Sequence, residues 1–176
     1  MRGELTLREE RPGDEEAIGR VLAAAFGGPL EAALVEDLRA AKALELSLVA
    51  QRAGRQVQIV GHVALSAVTT PDCEAQWRGL GLAPLGVLPE EQRCGTGAAL
   101  VRRALELARE SGAAFVVLLG DPAFYRRFGF VPANSAGLRC VYDAPPEAFQ
   151  VLELVPGALA SLSGRVLYAA AFARFE

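Results

Sequence analysis

Apolar and polar residues alternate from Glu4 to Arg8, with Leu5 and Leu7 on one side, and this period of two predicts a half-buried first strand. The period then lengthens. Ile18, Val21, Leu22 and Ala25 recur at helical spacing, with Asp14 placed to cap the helix, Glu15 and Glu16 suited to its positive end, and Gly27-Gly28 to stop it. Pro29 opens a second amphipathic helix with Leu30, Leu34, Leu38 and Ala41 on one side. Leu46 to Arg52 and Val57 to Val68 flank Ala53-Gly54-Arg55-Gln56, a hairpin pattern whose second arm puts Val57, Ile59, Val63, Leu65 and Ala67 on one face and Gln58, His62 and Ser66 on the other. Gly79 to Val87 is apolar throughout, as for a strand covered on both faces, and Pro84 inside it cannot donate to a ladder, so pairing is expected to fail or bulge there.

Pro89 to Gly97 reads as a turn-rich loop leading into a helix to about Glu110, ended by Gly112, and Ala113 to Leu119 is a further apolar strand. Together these make a βαβ unit. Pro122 starts a short helix, Ala123 to Phe128, and extended structure returns at Gly129-Phe130-Val131. Leu138 to Tyr142, Phe149 to Val155 and Arg165 to Phe172 predict further strands, punctuated by Pro145-Pro146, Gly157 and Gly164. The alternation gives an α/β (α+β) sheet of six or seven strands.

Composition narrows the function classes. The 176 residues are 52% apolar and 22% charged with a formal charge of -3, which excludes general disorder and points to one domain. No Lys/Arg cluster goes beyond Arg102-Arg103 and Arg126-Arg127, so nucleic acid is not expected as a partner. No apolar run approaches the ~20 residues of a membrane helix, and the opening residues lack the apolar stretch of a signal peptide. A cytoplasmic protein without a membrane partner is the expectation. Cys73, Cys94 and Cys140 form no C-x-x-C pair and have a single histidine for company, so neither a disulfide framework nor a metal site is expected.

The loop before the third helix is the richest in chemistry. Gly95 and Gly97 allow close backbone approach, and the first N-H groups of the following helix, lacking intrahelical acceptors, form an environment suited to a phosphate. A tight strand-to-helix turn would use the same glycines. The P-loop pattern is absent, and the dinucleotide fingerprint fails at Leu100.

Val87-x-Pro89 followed by Gln92-Arg93-Cys94-Gly95-Thr96-Gly97 resembles the [QR]-x-x-G-x-[GA] acyl-CoA loop of the GNAT superfamily of N-acetyltransferases, and Tyr125-Arg126-Arg127-Phe128-Gly129-Phe130 is similar to its second signature, Y-x-x-x-G-F. Order and separation agree. Gly61-His62, Gly79 to Pro89 with Pro84, Gly120-Asp121-Pro122 and Phe149-Gln150 further resemble a bacterial subgroup of predicted acetyltransferases of undefined substrate. The resemblance implies a mixed, mostly antiparallel sheet flanked by helices with splayed fourth and fifth strands, in a single domain spanning residues 1–176, with its core at 4–131 and C-terminal strands in 132–176. It implies acetyl-CoA as co-substrate and a primary amine, on a small molecule or peptide, as acceptor, attacking the thioester directly.

By the same resemblance, backbone groups of Leu85, Gly86 and Val87 would pair with the pantetheine, and a backbone N-H near Leu85 or Gly86 would polarise the thioester carbonyl. Gln92, Arg93, Cys94, Gly95, Thr96 and Gly97 would hold the pyrophosphate. Tyr125 would protonate the leaving thiolate; the alternative is an ordinary aromatic beside Phe124 and Phe128. His62 reads as a base, a substrate contact or a structural histidine, and Asp121 as a ligand or a helix start. The fourth strand lacks the Glu that some relatives use as a base. Cys94 sits at a helix start but occupies a variable motif position. Asp72 and Glu74 could attract a cationic amine or form a solvated loop. A non-catalytic acyl-CoA sensor or docking module is the other reading, and a homodimer is open because the apolar tail can supply an interface strand.

Overall fold

The computed structural model describes residues 3–175. In chain order the regular elements are β1 (Leu5–Glu9), α1 (Glu15–Phe26), α2 (Leu30–Ala40), β2 (Leu44–Arg52), β3 (Gln58–Val68), β4 (Gly79–Val87), α3 (Thr96–Glu110), β5 (Phe115–Leu119), α4 (Pro122–Tyr125), β6 (Val131–Pro132), β7 (Leu138–Cys140), β8 (Phe149–Glu153) and β9 (Gly164–Val166). Seven strands form one mixed sheet in the order β1-β2-β3-β4-β5-β8-β6, and β7 pairs with β9 separately. No helix among the described residues is long and apolar enough to cross a membrane. The chain divides into two compact units, residues 3–65 with 84–107 and residues 66–83 with 108–175.

In the first unit, helices cover both faces of the strands. A Cβ on Gly61 would meet Leu100 of α3 at 2.9 Å, and one on Gly86 would meet Leu22 of α1 at 2.8 Å, so each helix lies against a strand position with no side chain. Ile18, Val21 and Leu22 of α1, Leu34 and Leu38 of α2, and Leu100, Val101 and Ala104 of α3 are buried, following the helical spacing of their apolar residues. Asp14 stands at the N-cap of α1, yet its side chain makes no cap bond. It accepts instead from Arg8 Nη1 at 2.6 Å, Arg8 Nη2 at 2.9 Å and the Arg11 N-H at 2.8 Å. A bidentate charged pair outcompetes a single helix N-H, and Arg8 holds the Asp14 carboxyl below its ordinary range.

The second unit is built around β5. Phe115 is fully buried, and its ring occupies the space in front of Gly79, where a Cβ would lie 2.2 Å from Cζ. β5 pairs antiparallel with β8 along its length, from Phe115↔Glu153 to Leu119↔Phe149. Its parallel ladder with β4 has three rungs, Gly79↔Phe115 to Gly81↔Val117, and β4 runs on past them through Pro84 to Val87. The missing proline N-H accords with a ladder that ends before it. Phe115→Ala is expected to destabilise the protein by about 3–5 kcal/mol, read as a lower midpoint in urea.

Two expected strands are shorter than their apolar runs. Leu138 to Tyr142 contributes only β7, and Arg165 to Phe172 contributes only the end of β9 before a 3₁₀ segment, Ala170–Phe175. The remaining aromatics pack on each other: Tyr168 lies 5.7 Å from Tyr142 and 5.0 Å from Phe172, ring centre to ring centre. Cluster packing needs no continuous ladder.

Candidate active site

The first unit carries the glycine loop. Gln92 donates from its amide to the Val87 carbonyl at 3.0 Å, tying the loop to the end of β4. Arg93 (φ 57°) and Gly95 (φ 87°) then turn the chain through the left-handed region, and α3 starts at Thr96. Gln92, Arg93, Cys94 and Gly95 are exposed, whereas Thr96 is buried and Gly97 half-buried. The Ala99 N-H returns to the Gly95 carbonyl at 2.9 Å, so the N-H groups ahead of it stand in the turn where a helix has no acceptor of its own. Cys94 Sγ donates to the Gln92 carbonyl at 3.0 Å. Gly86 and Val87 are buried and Leu85 half-buried, and the next N-H, of Leu88, bonds to the Val60 carbonyl at 2.9 Å.

His62, on β3 in the same unit, is buried, with Nε2 2.9 Å from Ser47 Oγ. Its Nδ1 has no hydrogen-bond partner among the described residues.

The second unit carries the aromatic turn. Asp121 caps α4, its Oδ1 accepting from the Ala123 N-H at 2.8 Å, so the helix-start reading of Asp-Pro holds. Tyr125 is 8% exposed and packs edge-on against Phe124 (4.8 Å between ring centres) and Phe130 (5.7 Å). Burial pushes the phenol up to about 12, so it keeps its proton at neutral pH. Gly120 is required beside it, because a Cβ there would lie 2.4 Å from Tyr125 Cε2. Buried Gln150 of β8 donates to the Gly120 carbonyl at 3.1 Å and fixes that turn. Asp72 is engaged rather than open to an amine: it accepts from Arg165 Nε at 2.9 Å and Nη2 at 3.0 Å, and the guanidinium holds its carboxyl far below the usual range. Glu74 remains on an exposed loop.

The profile of an acetyltransferase (GNAT) domain matches residues 6–133, which include both the glycine loop and the aromatic turn. The chain belongs to the GNAT family of acetyltransferases. A protein of Escherichia coli K12 described as the uncharacterized N-acetyltransferase YhbS is 40% identical over 171 residues, covering 97% of this chain and all of that one. The crystal structure of the E. coli YhbS protein in complex with CoA superposes with a TM-score of 0.90 at 38% identity, covering 98% of this chain and 93% of that one. A GNAT acetyltransferase from Brucella melitensis in complex with acetyl-CoA superposes with a TM-score of 0.77 at 39% identity, covering 96% and 98%. This GNAT protein is therefore an acyl-CoA-dependent N-acyltransferase, and its mixed sheet with splayed β4 and β5 is the expected one.

The structure adds a brace behind the glycine loop that no motif contains. Arg52, at the end of β2, donates to Glu91 Oε2 from Nη2 at 2.7 Å and from Nε at 3.2 Å, approaches Thr96 Oγ1 at 3.4 Å, and donates from Nη1 to the Gly3 carbonyl at 3.1 Å. Both charged side chains are less than a fifth exposed. Arg52→Ala leaves Glu91 an uncompensated, largely buried charge, and a loss of about 3 kcal/mol in stability is expected in urea titrations. Only the spacing of 39 residues separates the pair in sequence, and no local signal marks it.

Proposed function

We propose that this GNAT enzyme transfers the acetyl group of acetyl-CoA to a primary amine of a small molecule or peptide by direct attack, with Tyr125 as general acid. The observation that carries the cofactor half is the exposed left-handed turn Arg93 to Gly95 at the start of a 15-residue helix, whose first N-H groups suit a pyrophosphate. In this reading Gln92, Arg93, Cys94, Gly95, Thr96 and Gly97 cradle the pyrophosphate, mostly through backbone N-H groups, with the α3 dipole adding a modest favourable term. The backbone of Leu85, Gly86 and Val87 receives the pantetheine as an added strand, consistent with a β4 segment past its last rung with β5. A backbone N-H near Leu85 or Gly86 faces the developing oxyanion, a contribution of ~2–4 kcal/mol to the transition state.

The chemistry of the second half rests on the buried, protonated phenol. As the amine attacks and the C-S bond breaks, Tyr125 gives its proton to sulfur. A free phenol is a weaker acid than a thiol by ~1.5 pK units, and burial widens that gap, so the proton moves in concert with bond cleavage, not ahead of it.

CoA and acetyl-CoA are expected to raise the melting temperature at sub-millimolar concentration. Incubation with radiolabelled acetyl-CoA and pools of amines, peptides and aminoglycosides should then transfer label to at least one pool. No thermal shift at millimolar CoA would overturn the cofactor assignment. Binding with hydrolysis alone, and no transfer to any pool, would overturn the amine acceptor in favour of a sensor.

A further inference from the structure

Four side chains of the first unit, from α2, β2, β3 and the connection after β1, form one hydrogen-bonded chain. Arg39 of α2 holds Glu10, just past β1, with Nε 2.8 Å and Nη2 2.7 Å from Oε1. Glu10 Oε2 accepts from the hydroxyl of Ser47 on β2. Ser47 Oγ in turn lies 2.9 Å from Nε2 of His62 on β3. The proton inventory of this chain has one consistent solution. An arginine-paired Glu10 is an ionised acceptor, so the single hydroxyl proton of Ser47 goes to Glu10, and Ser47 Oγ can only accept from His62. His62 is then the Nε2-H tautomer, and its Nδ1 presents a bare lone pair. Of the two ring nitrogens it is Nδ1 that lacks a hydrogen-bond partner among the described residues, as buried Ser66 Oγ further along β3 also does, and His62 has 0% exposure. An acceptor left unsatisfied in a fully buried position is costly, so its retention points to a donor that arrives with substrate.

The two ends of the chain have different surroundings. Glu10, Arg39 and Ser47 line an open cleft of about 430 Å³ at the start of β2, so the carboxylate end meets solvent. The imidazole end lies on the strand between β2 and β4. Leu88 N-H bonds to the Val60 carbonyl, and an antiparallel register from that pair sets His62 opposite Gly86, one of the residues assigned above to the thioester.

We propose that Glu10, Ser47 and His62 are a proton relay that removes the proton of the attacking amine from the Gly86 end of the site to the cleft; the proposal rests on the acetyl-transfer reading above. In the step, the N-H bond of the amine breaks as its nitrogen bonds to the thioester carbon, and a proton bonds to His62 Nδ1. His62 releases its Nε2 proton to Ser47 Oγ, and Ser47 releases its hydroxyl proton to Glu10 Oε2. One proton enters at Nδ1 and one leaves on the Glu10 carboxyl, which exchanges with water in the cleft. No imidazolium need accumulate. This suits a histidine whose burial, reinforced by Arg39, depresses it to about 3: too weak a base to store a proton, yet able to pass one. It also accounts for a β4 with no carboxylate.

The chain has a single histidine, so ¹⁵N-histidine labelling of the full-length protein reads this ring alone. The parent should show a protonated Nε2, a bare Nδ1 and no titration near pH 6.5. In Glu10→Gln, Arg39 selects the amide carbonyl, the amide N-H₂ faces Ser47, and the Ser47 hydroxyl turns to His62, so the ring should switch to the Nδ1-H tautomer. Ser47→Ala should mix the two. With acetyl-CoA and propylamine as the minimal primary amine, His62→Gln and Glu10→Gln are expected to lower kcat by ~100-fold while KM for acetyl-CoA stays within about twofold, the size of a lost acid-base contribution. A proton on Nδ1 in the parent, an unswitched tautomer in Glu10→Gln, or unchanged kcat in variants that CoA still stabilises would overturn the relay with the cofactor reading intact. A parent protein that CoA does not stabilise would overturn the cofactor reading first.

Discussion

Gly95→Val is expected to abolish the rise in melting temperature that CoA gives the parent protein, with the affinity falling ~100-fold or more, equivalent to about 2.7 kcal/mol. Two physical effects combine. Gly95 has φ 87°, a conformation that costs a side-chain-bearing residue about 1–2 kcal/mol and a β-branched one most of all. A Cβ there would also meet nothing within 4 Å in the protein, so the valine projects into the open space in front of the loop, where the pyrophosphate is proposed to sit. Because the methyls clash with no protein atom, stability without CoA should drop only by the backbone strain, at most about 8 °C in Tm. Gly27→Val is the matched control. Gly27 caps α1 at φ 72° with nothing within 4 Å of its Cβ, so it should lose a similar amount of stability and keep the full response to CoA. Isothermal titration of the three proteins with CoA checks both statements, and equal loss in the two variants would remove the loop from the site.

The glycine loop was legible in sequence because its geometry is local: Gln92, Gly95 and Gly97 set the backbone within six residues, and the helix after them shows its apolar period directly. The aromatic turn was legible for the same reason, although the sequence left Asp121 open between a ligand and a helix start, and the structure shows the cap. Legibility failed where partners are distant. Asp14 reads as a cap from its neighbours, yet Arg8, six residues before it on β1, takes both carboxylate oxygens. The strands β7 and β9 are three residues each because their ladder runs only from Leu138↔Gly164 to Cys140↔Val166, and no period of apolar residues reports where a partner strand ends. His62 could be read as polar among apolar neighbours, but its tautomer depends on Ser47, Glu10 and Arg39, which come from β2, the connection after β1, and α2. Burial, not spacing, is what makes that chain and the Arg52–Glu91 brace matter, and burial is a property of the assembled fold.

Tyr125→Phe is expected to lower kcat by ~10²–10³ while leaving KM for acetyl-CoA and the CoA-induced shift in Tm near those of the parent, because only the transition state uses the hydroxyl proton. The substitution keeps the ring, and the ring is what packs: edge contacts with Phe124 and Phe130 and the close approach of Gly120 survive in phenylalanine. Stability should therefore change little. The acid's identity is separable from its position. If Tyr125 protonates the leaving thiolate, a thioester whose thiol is more acidic than CoA needs less help, so the variant's deficit should shrink toward the parent rate with such an acyl donor. Gly120→Ala provides the complementary case, since its added methyl must displace a ring 2.4 Å away while the hydroxyl remains. It should lower kcat through misplacement, and a more acidic leaving group should rescue it in the same way. A Tyr125→Phe enzyme with parental kcat, or one equally slow with every leaving group, would leave the phenol as packing alone and assign protonation of sulfur to solvent.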